Sequence, residues 1–460
     1  MTRSAAIASA QAFLDEGRFE EVLARRVAFR TESQNPERAA ELRRYLEEDM
    51  LPAMAALGAE ARVFDNPDPA GGPFLVARRI EDPTLPTVLT YGHGDTVRGM
   101  EGRWAEGRDP WTLQRDGERL YGRGTADNKG QHTINLAALE AVLATRGRLG
   151  FNLTVLIETS EETGSPGLRI FCEQQRELLA ADLLVASDGP RLEIGLPTIY
   201  CGNRGGMPLR LKVSCREGAH HSGNWGGLLT NPAVVLAHAL ASITDARGRI
   251  LIPEWRPTSL TPAVREALKD LPVGGPGAPE IDPEWGEPGL TPAEQLFGWN
   301  TLEILTLHAG TPEAPQNAIP GTAEAVCQLR FVVGTDIDDI APALRRHLDA
   351  KGFSMVEIVQ ARANVFGASR TEPDHPDIRL ACASVEETTA KKPGLLPNTG
   401  GSLPGDIFAE VLDLPMVWVP HSYGGCSQHA PDEHMLVPVV REGLAIMAGL
   451  FWDLGEKPRG

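Results

Sequence analysis

The sequence predicts an α/β protein, a mainly parallel sheet flanked by helices and interrupted by an inserted α+β domain. Three observations carry this. Apolar, β-prone runs alternate with helix-length segments through the first half of the chain. The texture changes near Gly205-Gly206 and changes back after about Pro373. Acidic and histidine clusters spread over more than 300 residues each sit where such a run ends, and an open α/β sheet gathers its ligands at the carboxyl ends of its strands.

Residues from Ser9 to Leu57 carry a helical pattern, Phe74 to Arg78 and Val88 to Tyr91 read as short strands, and Asn128 to Thr145, rich in Ala and Leu, reads as a helix. Strands return at 153–157 and 183–187, which makes the order βαβ. From Met207 onward, Leu209-Arg210-Leu211-Lys212-Val213 alternates apolar and charged residues, the mark of a strand exposed on one face. A helix over Pro232 to Ile243, a Gly/Pro-rich acidic loop from Leu271 to Gly289, a strand ending at Phe331-Val332-Val333 and a helix over Ile337 to Lys351 follow. Parallel-sheet character resumes with the helix Ile378 to Thr388 and the strand Met416 to Val419. The expected boundaries are 1–206 and 367–460 for the first domain and 207–366 for the insertion.

Composition excludes several classes. With 62 Asp and Glu against 44 Lys and Arg the chain lacks the basic surface that a nucleic-acid partner needs. No stretch approaches 18 uninterrupted apolar residues, so no membrane span is expected, and the Ala-rich start meets Asp15 and Glu16 before any secretory h-region forms. The six cysteines show no close pairing for zinc or redox chemistry and are sparse for a disulfide scaffold, which points to a reduced cytoplasmic protein.

The clusters carry the chemistry. His93 and Asp95 in His93-Gly94-Asp95 share a face in extended chain, so Asp95 is placed to orient the His93 imidazole. Asp127, before the Asn128 helix, reads alone as an N-cap, and Asp188 in Ser187-Asp188-Gly189-Pro190 reads alone as a turn aspartate. Glu161-Glu162 after an apolar strand is costly to bury unless a positive group compensates both carboxylates, and a metal is the simplest compensation. His429 lies in a stretch with further candidate ligands, and Cys426 there invites a thiol-nucleophile reading that would leave the upstream acids without a purpose.

Taken together, Gly92-His93-Gly94-Asp95-Thr96-Val97, Tyr121-Gly122-Arg123-Gly124 through Asp127-Asn128-Lys129-Gly130, Glu161-Glu162-Thr163-Gly164-Ser165, Ser187-Asp188, His221-Ser222-Gly223 and Gln428-His429-Ala430-Pro431 resemble metallopeptidase family twenty. That is the family of aminoacylase, acetylornithine deacetylase, carnosinase and glutamate carboxypeptidase, and the motifs run in order from about residue 90 to 435.

The resemblance implies a zinc-exopeptidase-like fold whose insertion is a lid and dimerisation domain. It implies His93 and Asp188 as ligands of one metal, Glu162 and His429 of the other, and Asp127 as the carboxylate bridging them. Glu161 matches the general base and Asp95 the partner of His93, while His221 matches a histidine that reaches the site of the neighbouring subunit. Asn317, Arg330 and Gly401 are expected to hold the substrate, and the Asp127–Asn128 peptide bond is expected to be cis. Two cations about 3.5 to 4 Å apart would acidify a shared water and polarise the scissile carbonyl. Imidazole and carboxylate ligands suit Zn²⁺, with Co²⁺ or Mn²⁺ as replacements.

One departure bears on substrate. Several family members carry a charged residue just before the glycine pair that precedes the last strand, whereas this chain reads Asn398-Thr399-Gly400-Gly401. The length of the insertion favours a dipeptidase acting on a small peptide, with N-acyl amino acid deacylation as the alternative.

Overall fold

The computed structural model describes residues 2–274, 279–311, 313–360 and 365–456. The chain divides into two compact units: Met1–Gly202 with Arg370–Pro397 and Pro404–Gly460, and Asn203–Ser369 with Asn398–Leu403. The boundaries fall at Asn203 and Ser369 rather than at 207 and 366, because Gly205 and Gly206 already pair with Phe331 and Arg330 in the second unit's sheet. Asn398–Leu403, expected in the first domain, belongs to the second, where Asn398 Nδ2 donates to the Phe297 carbonyl at 2.9 Å. Part of the expected loop over 271–289, residues 275–278, lies outside the described residues.

The first unit is built on an eight-stranded sheet in the order Glu60–Phe64, Phe74–Arg79, Asn152–Glu158, Thr87–His93, Leu183–Ala186, Met416–Trp418, Thr198–Tyr200, Gly394–Leu396. The four strands from Asn152–Glu158 to Met416–Trp418 pair in parallel. Every residue of Asn152–Glu158 and Leu183–Ala186 is buried, which is why these strands read as continuous apolar runs. The helices Arg3–Asp15, Lys129–Arg146, Pro376–Thr389 and Val437–Glu456 pack on one another and supply much of the core. Lys129–Arg146 stops at Gly147, whose φ of 79° is a left-handed conformation that glycine adopts freely.

The helical pattern expected from Ser9 to Leu57 is broken in the middle. Helices Arg3–Asp15 and Arg18–Ala28 end before an extended stretch in which Thr96 N donates to Thr31 O at 2.8 Å and Ser33 N to Thr96 O at 3.2 Å. Helical structure resumes only at Pro36, capped by the Asn35 side chain. Those residues gain backbone partners from the loop after His93 that a helix could not offer them.

The second unit holds a four-stranded antiparallel sheet in the order Thr301–His308, Thr322–Phe331, Gly205–Ser214, Val356–Gln360. Burial alternates along Thr322–Phe331 and most of Gly205–Ser214, so one face meets the helices Pro232–Ile243 and Ile340–Ala350 over a core that includes Leu211, Leu240, Trp255 and Leu344. Pro232–Ile243 opens with proline at its first position and the Asn231 side chain accepting from Ala233 N. Among the described residues no helix is long and apolar enough to cross a membrane, and all six cysteines are free.

Candidate metal centre

Four adjacent parallel strands end on one edge of the first unit's sheet, and at or beyond each end the chain carries a side chain of a metal-ligating type. His93 closes its strand in register with Glu158, Glu161 and Glu162 form the turn after Asn152–Glu158, and Asp188 follows Leu183–Ala186. His429 lies past Met416–Trp418 in a turn where Ser427, His429 and Asp432 all take positive φ, a conformation that non-glycine residues hold only where their surroundings enforce it. Asp127 precedes the helix Lys129–Arg146 and its bond to Asn128 is cis, as the resemblance implies. The residue at the N-cap position is Asn128, so the capping reading of Asp127 gives way.

The side chains converge into two groups, His93 with Asp127 and Asp188, and Asp127 with Glu162 and His429; within each, the ligand atoms lie within 4.8 Å of one another. Asp127 belongs to both. Its Oδ1 is 2.9 Å from His93 Nε2 and its Oδ2 is 2.9 Å from His429 Nε2. Glu162 Oε2 stands 3.0 Å from His429 Nε2, while Glu162 Oε1 is buried without a hydrogen-bond partner. An orphaned buried carboxylate oxygen beside imidazole and carboxylate donors fits a divalent cation.

Asp95 lies behind these groups and organises them. Its two carboxylate oxygens accept from Glu161 N and Glu162 N, each at 3.1 Å, and Oδ1 lies 3.3 Å from His93 Nδ1. One buried carboxylate thus aims the His93 ring and holds the turn that carries both glutamates.

The clustered carboxyls and imidazoles shift one another's affinity for protons. Burial, with the Asp127 charge behind it, raises the Asp188 carboxyl to about 6 and that of Glu162 to about 7. Burial also raises Glu161 well above the usual carboxylate range; His93 opposes this, while Asp188, Glu162 and Asp127 reinforce it. Hydrogen bonds to Asp127 and Glu162 lift His429 to about 11, and burial of His93 is overcome by its bonds to Asp127 and Asp95. Protonated imidazoles therefore supply the positive charge in the ion-free protein.

Those protons must leave when an ion enters. Affinity then rises with pH, first through about 6 to 7 as Asp188 and Glu162 ionise, and further toward about 11 as the His429 imidazolium loses its proton. Calorimetric titration of zinc into ion-free protein at neutral pH is expected to show release of about one proton or more per ion, read from the dependence of enthalpy on the buffer's ionisation heat. A buffer-independent enthalpy contradicts this.

Sequence reasoning left several supporting residues unassigned. Glu433, buried against Arg123 Nη1 at 2.7 Å, accepts from the backbone N–H groups of Gly124, Ala126 and Asp127 and so shapes the loop that presents Asp127. Gln428 donates to Asp127 Oδ2. Cys426 is buried and its thiol is pushed up by burial, which removes the nucleophile reading. A cleft of about 1260 Å³ along the edge strands Glu60–Phe64 and Phe74–Arg79, lined by Arg62, Arg78, Arg79 and Arg148 with Glu60, Glu81 and Asp82, holds none of these ligands.

The remaining expected residues lie in the second unit. His221 is exposed on a short strand paired with Ala318–Ile319, its Nδ1 accepting from Gly223 N at 3.1 Å, and the neighbouring Ser222 hydrogen-bonds to Asn317. Arg330 Nη1 donates to Ser402 Oγ at 3.0 Å, beside exposed Gly401. His221 is thus brought near Asn317, and Arg330 near Gly401.

The profile of Peptidase family M20/M25/M40 matches residues 89–453. The chain is similar to a cysteinylglycine-S-conjugate dipeptidase of Corynebacterium striatum, 30% identical over 333 residues, 69% of this chain and 70% of that protein. It is also similar to the human β-Ala-His dipeptidase, 25% identical over 405 residues, 84% of this chain and 78% of that protein. In fold it matches the crystal structure of human carnosine dipeptidase 1, with a TM-score of 0.76 at 24% identity over 99% of both chains. An M20 family metallo-carboxypeptidase of Sulfolobus solfataricus matches with a TM-score of 0.79 at 22% identity over 95% of this chain and 99% of its own. On its motifs, its geometry and this match, the chain belongs to peptidase family M20/M25/M40.

Proposed function

We propose that this chain hydrolyses the amide bond of a dipeptide or related small peptide using two divalent ions, zinc foremost and cobalt or manganese as substitutes. His93, Asp127 and Asp188 would hold one ion, and Asp127, Glu162 and His429 the other. The observation that carries this reading is the sharing of Asp127 between two otherwise separate ligand groups. Ions bound there supply Lewis acidity toward the scissile carbonyl and lower the pKa of a water toward neutrality.

Glu161 is the base. It belongs to neither ligand group, yet its Oε2 lies 3.9 Å from His93 Nε2, so its carboxylate faces the reaction without being needed for coordination. It takes a proton from water as the water oxygen bonds to the carbonyl carbon, then delivers that proton to the amine nitrogen as the C–N bond breaks. Burial and the neighbouring carboxylates raise its affinity for a proton, which suits a group that takes one up and passes it on. Asp95 keeps the His93 ring and the Glu161 turn in register.

Asn317, Arg330 and Gly401 are proposed to hold the substrate, and His221 to serve the site of a second copy in a homodimer. The dimer is supported by the edge strand Thr301–His308, which exposes Ile304, Leu305 and Leu307 at 45%, 60% and 54%, an apolar run that an unpartnered edge seldom carries. The six free cysteines support a cytoplasmic location, which cell fractionation checks.

N-acyl amino acid deacylation is the second reading, and the dipeptidase relatives weigh against it. A panel of dipeptides and N-acyl amino acids, assayed with and without chelator, decides between them. Chelator-sensitive hydrolysis that favours dipeptides is expected; a preference for N-acyl amino acids would replace the first reading by the second.

A further inference from the structure

Behind the His93 group runs a buried chain of hydrogen bonds that no coordination role explains. Tyr45 Oη lies 2.7 Å from His132 Nε2, His132 Nδ1 lies 3.2 Å from Asn128 Oδ1, and Asn128 Nδ2 donates to the Ser187 carbonyl at 2.7 Å. Tyr45, Asn128 and Ser187 are fully buried and His132 is 2% exposed. The proton order is determined. The Ser187 carbonyl can only accept, so the Asn128 amide nitrogen faces it and Asn128 Oδ1 faces His132. His132 Nδ1 then carries the hydrogen and Nε2 accepts from the Tyr45 hydroxyl, the arrangement of a neutral ring, which burial favours.

Each point of this chain bears on the backbone next to a member of the His93, Asp127 and Asp188 group. Asn128 follows Asp127, and Ser187 precedes Asp188. On either side of His93, a Cβ on Gly92 would lie 2.9 Å from His132 Cβ and 3.1 Å from Asn128 Oδ1, and one on Gly94 would strike the Tyr45 ring. Both glycines thus let the backbone around His93 lie against these side chains. None of these hydrogen bonds reaches Glu162 or His429. Asp127, which serves both groups, is held separately by Glu433 at its N–H and by Gln428 at Oδ2.

We propose that Tyr45, His132 and Asn128 are positioning residues that preorganise His93 and Asp188, the two ligands found in one group alone, and so set the affinity of that ion selectively over the one held through Glu162 and His429. This rests on the two-ion reading above. Groups that orient metal ligands typically change affinity by about 10- to 100-fold when removed.

The test uses two single-ion backgrounds of the full chain. His429→Ala keeps the His93 group whole, and Asp188→Ala keeps the Glu162 and His429 group whole. Zinc dissociation constants are measured by chelator competition in each, with and without His132→Phe. A loss of about 10- to 100-fold is expected in the first background, against a change within about twofold in the second. His132→Asn, which can restore a donor toward Asn128, is expected to recover most of the loss. Should His132→Phe fail to fold, as judged by circular dichroism and melting temperature, Tyr45→Phe removes a single oxygen from the chain and is expected to act in the same direction on the same ion. Equal losses in both backgrounds would mean a general structural role and overturn the proposal, as would no loss in either. If neither background binds zinc before the additional substitution, the two-ion reading itself has failed.

Discussion

Glu161→Gln is expected to bind as much metal as the unmodified chain and to turn over dipeptide about a hundredfold to ten-thousandfold more slowly. The substitution keeps the size and hydrogen-bonding reach of the side chain and removes its capacity to accept a proton. Because Glu161 stands outside both ligand groups, metal content should not move. The Asp95 contacts to the 161–162 turn are made by backbone N–H groups, so the turn that carries Glu162 should also survive the change. Metal analysis alongside steady-state kinetics checks both halves. A near-normal kcat would assign the base elsewhere, and loss of one ion would make Glu161 a ligand.

His221→Ala is expected to cost about a hundredfold or more in kcat if this imidazole donates to the developing oxyanion, the range seen when one such donor is removed. His221 is exposed, it caps the short turn Ser222–Trp225, and among the described residues its ring accepts a hydrogen bond only from the local Gly223 N–H. In the proposed dimer the residue serves the second copy. Co-expression of His221→Ala with Glu161→Ala should then restore activity, because the chain that keeps Glu161 receives an intact His221 from the other. Verified heterodimers of two folded variants that stay inactive would show that donation in trans is wrong.

The central strands were legible because burial on both faces makes them apolar throughout, and His93, Glu161, Glu162 and Asp188 stood out because they lie at or just past the ends of such runs, whereas Asp127 taken alone read as an N-cap. The helix Pro232–Ile243 was equally plain, with Asn231 and Pro232 marking its start. The strands Thr198–Tyr200 and Gly394–Leu396 were not: three residues carry too little pattern, and their pairing with each other and with Met416–Trp418 defines them. Glu60–Phe64 lies at a half-exposed edge and lacks a buried stripe. In the site, Glu433 was visible only as one of several candidate ligands, since its task depends on three backbone N–H groups some 300 residues away. Asn128 and His132 looked like ordinary helix residues, and only the fold shows that their side chains turn toward Ser187 and Tyr45.

Removing metal with chelator and adding it back stoichiometrically tests the central claim most directly. The ion-free protein should be folded and inactive, and dipeptide hydrolysis should return as zinc is added, reaching its plateau at two ions per chain, one for each ligand group that shares Asp127. Full activity in the ion-free protein, or a plateau reached with a single ion bound, would contradict the account.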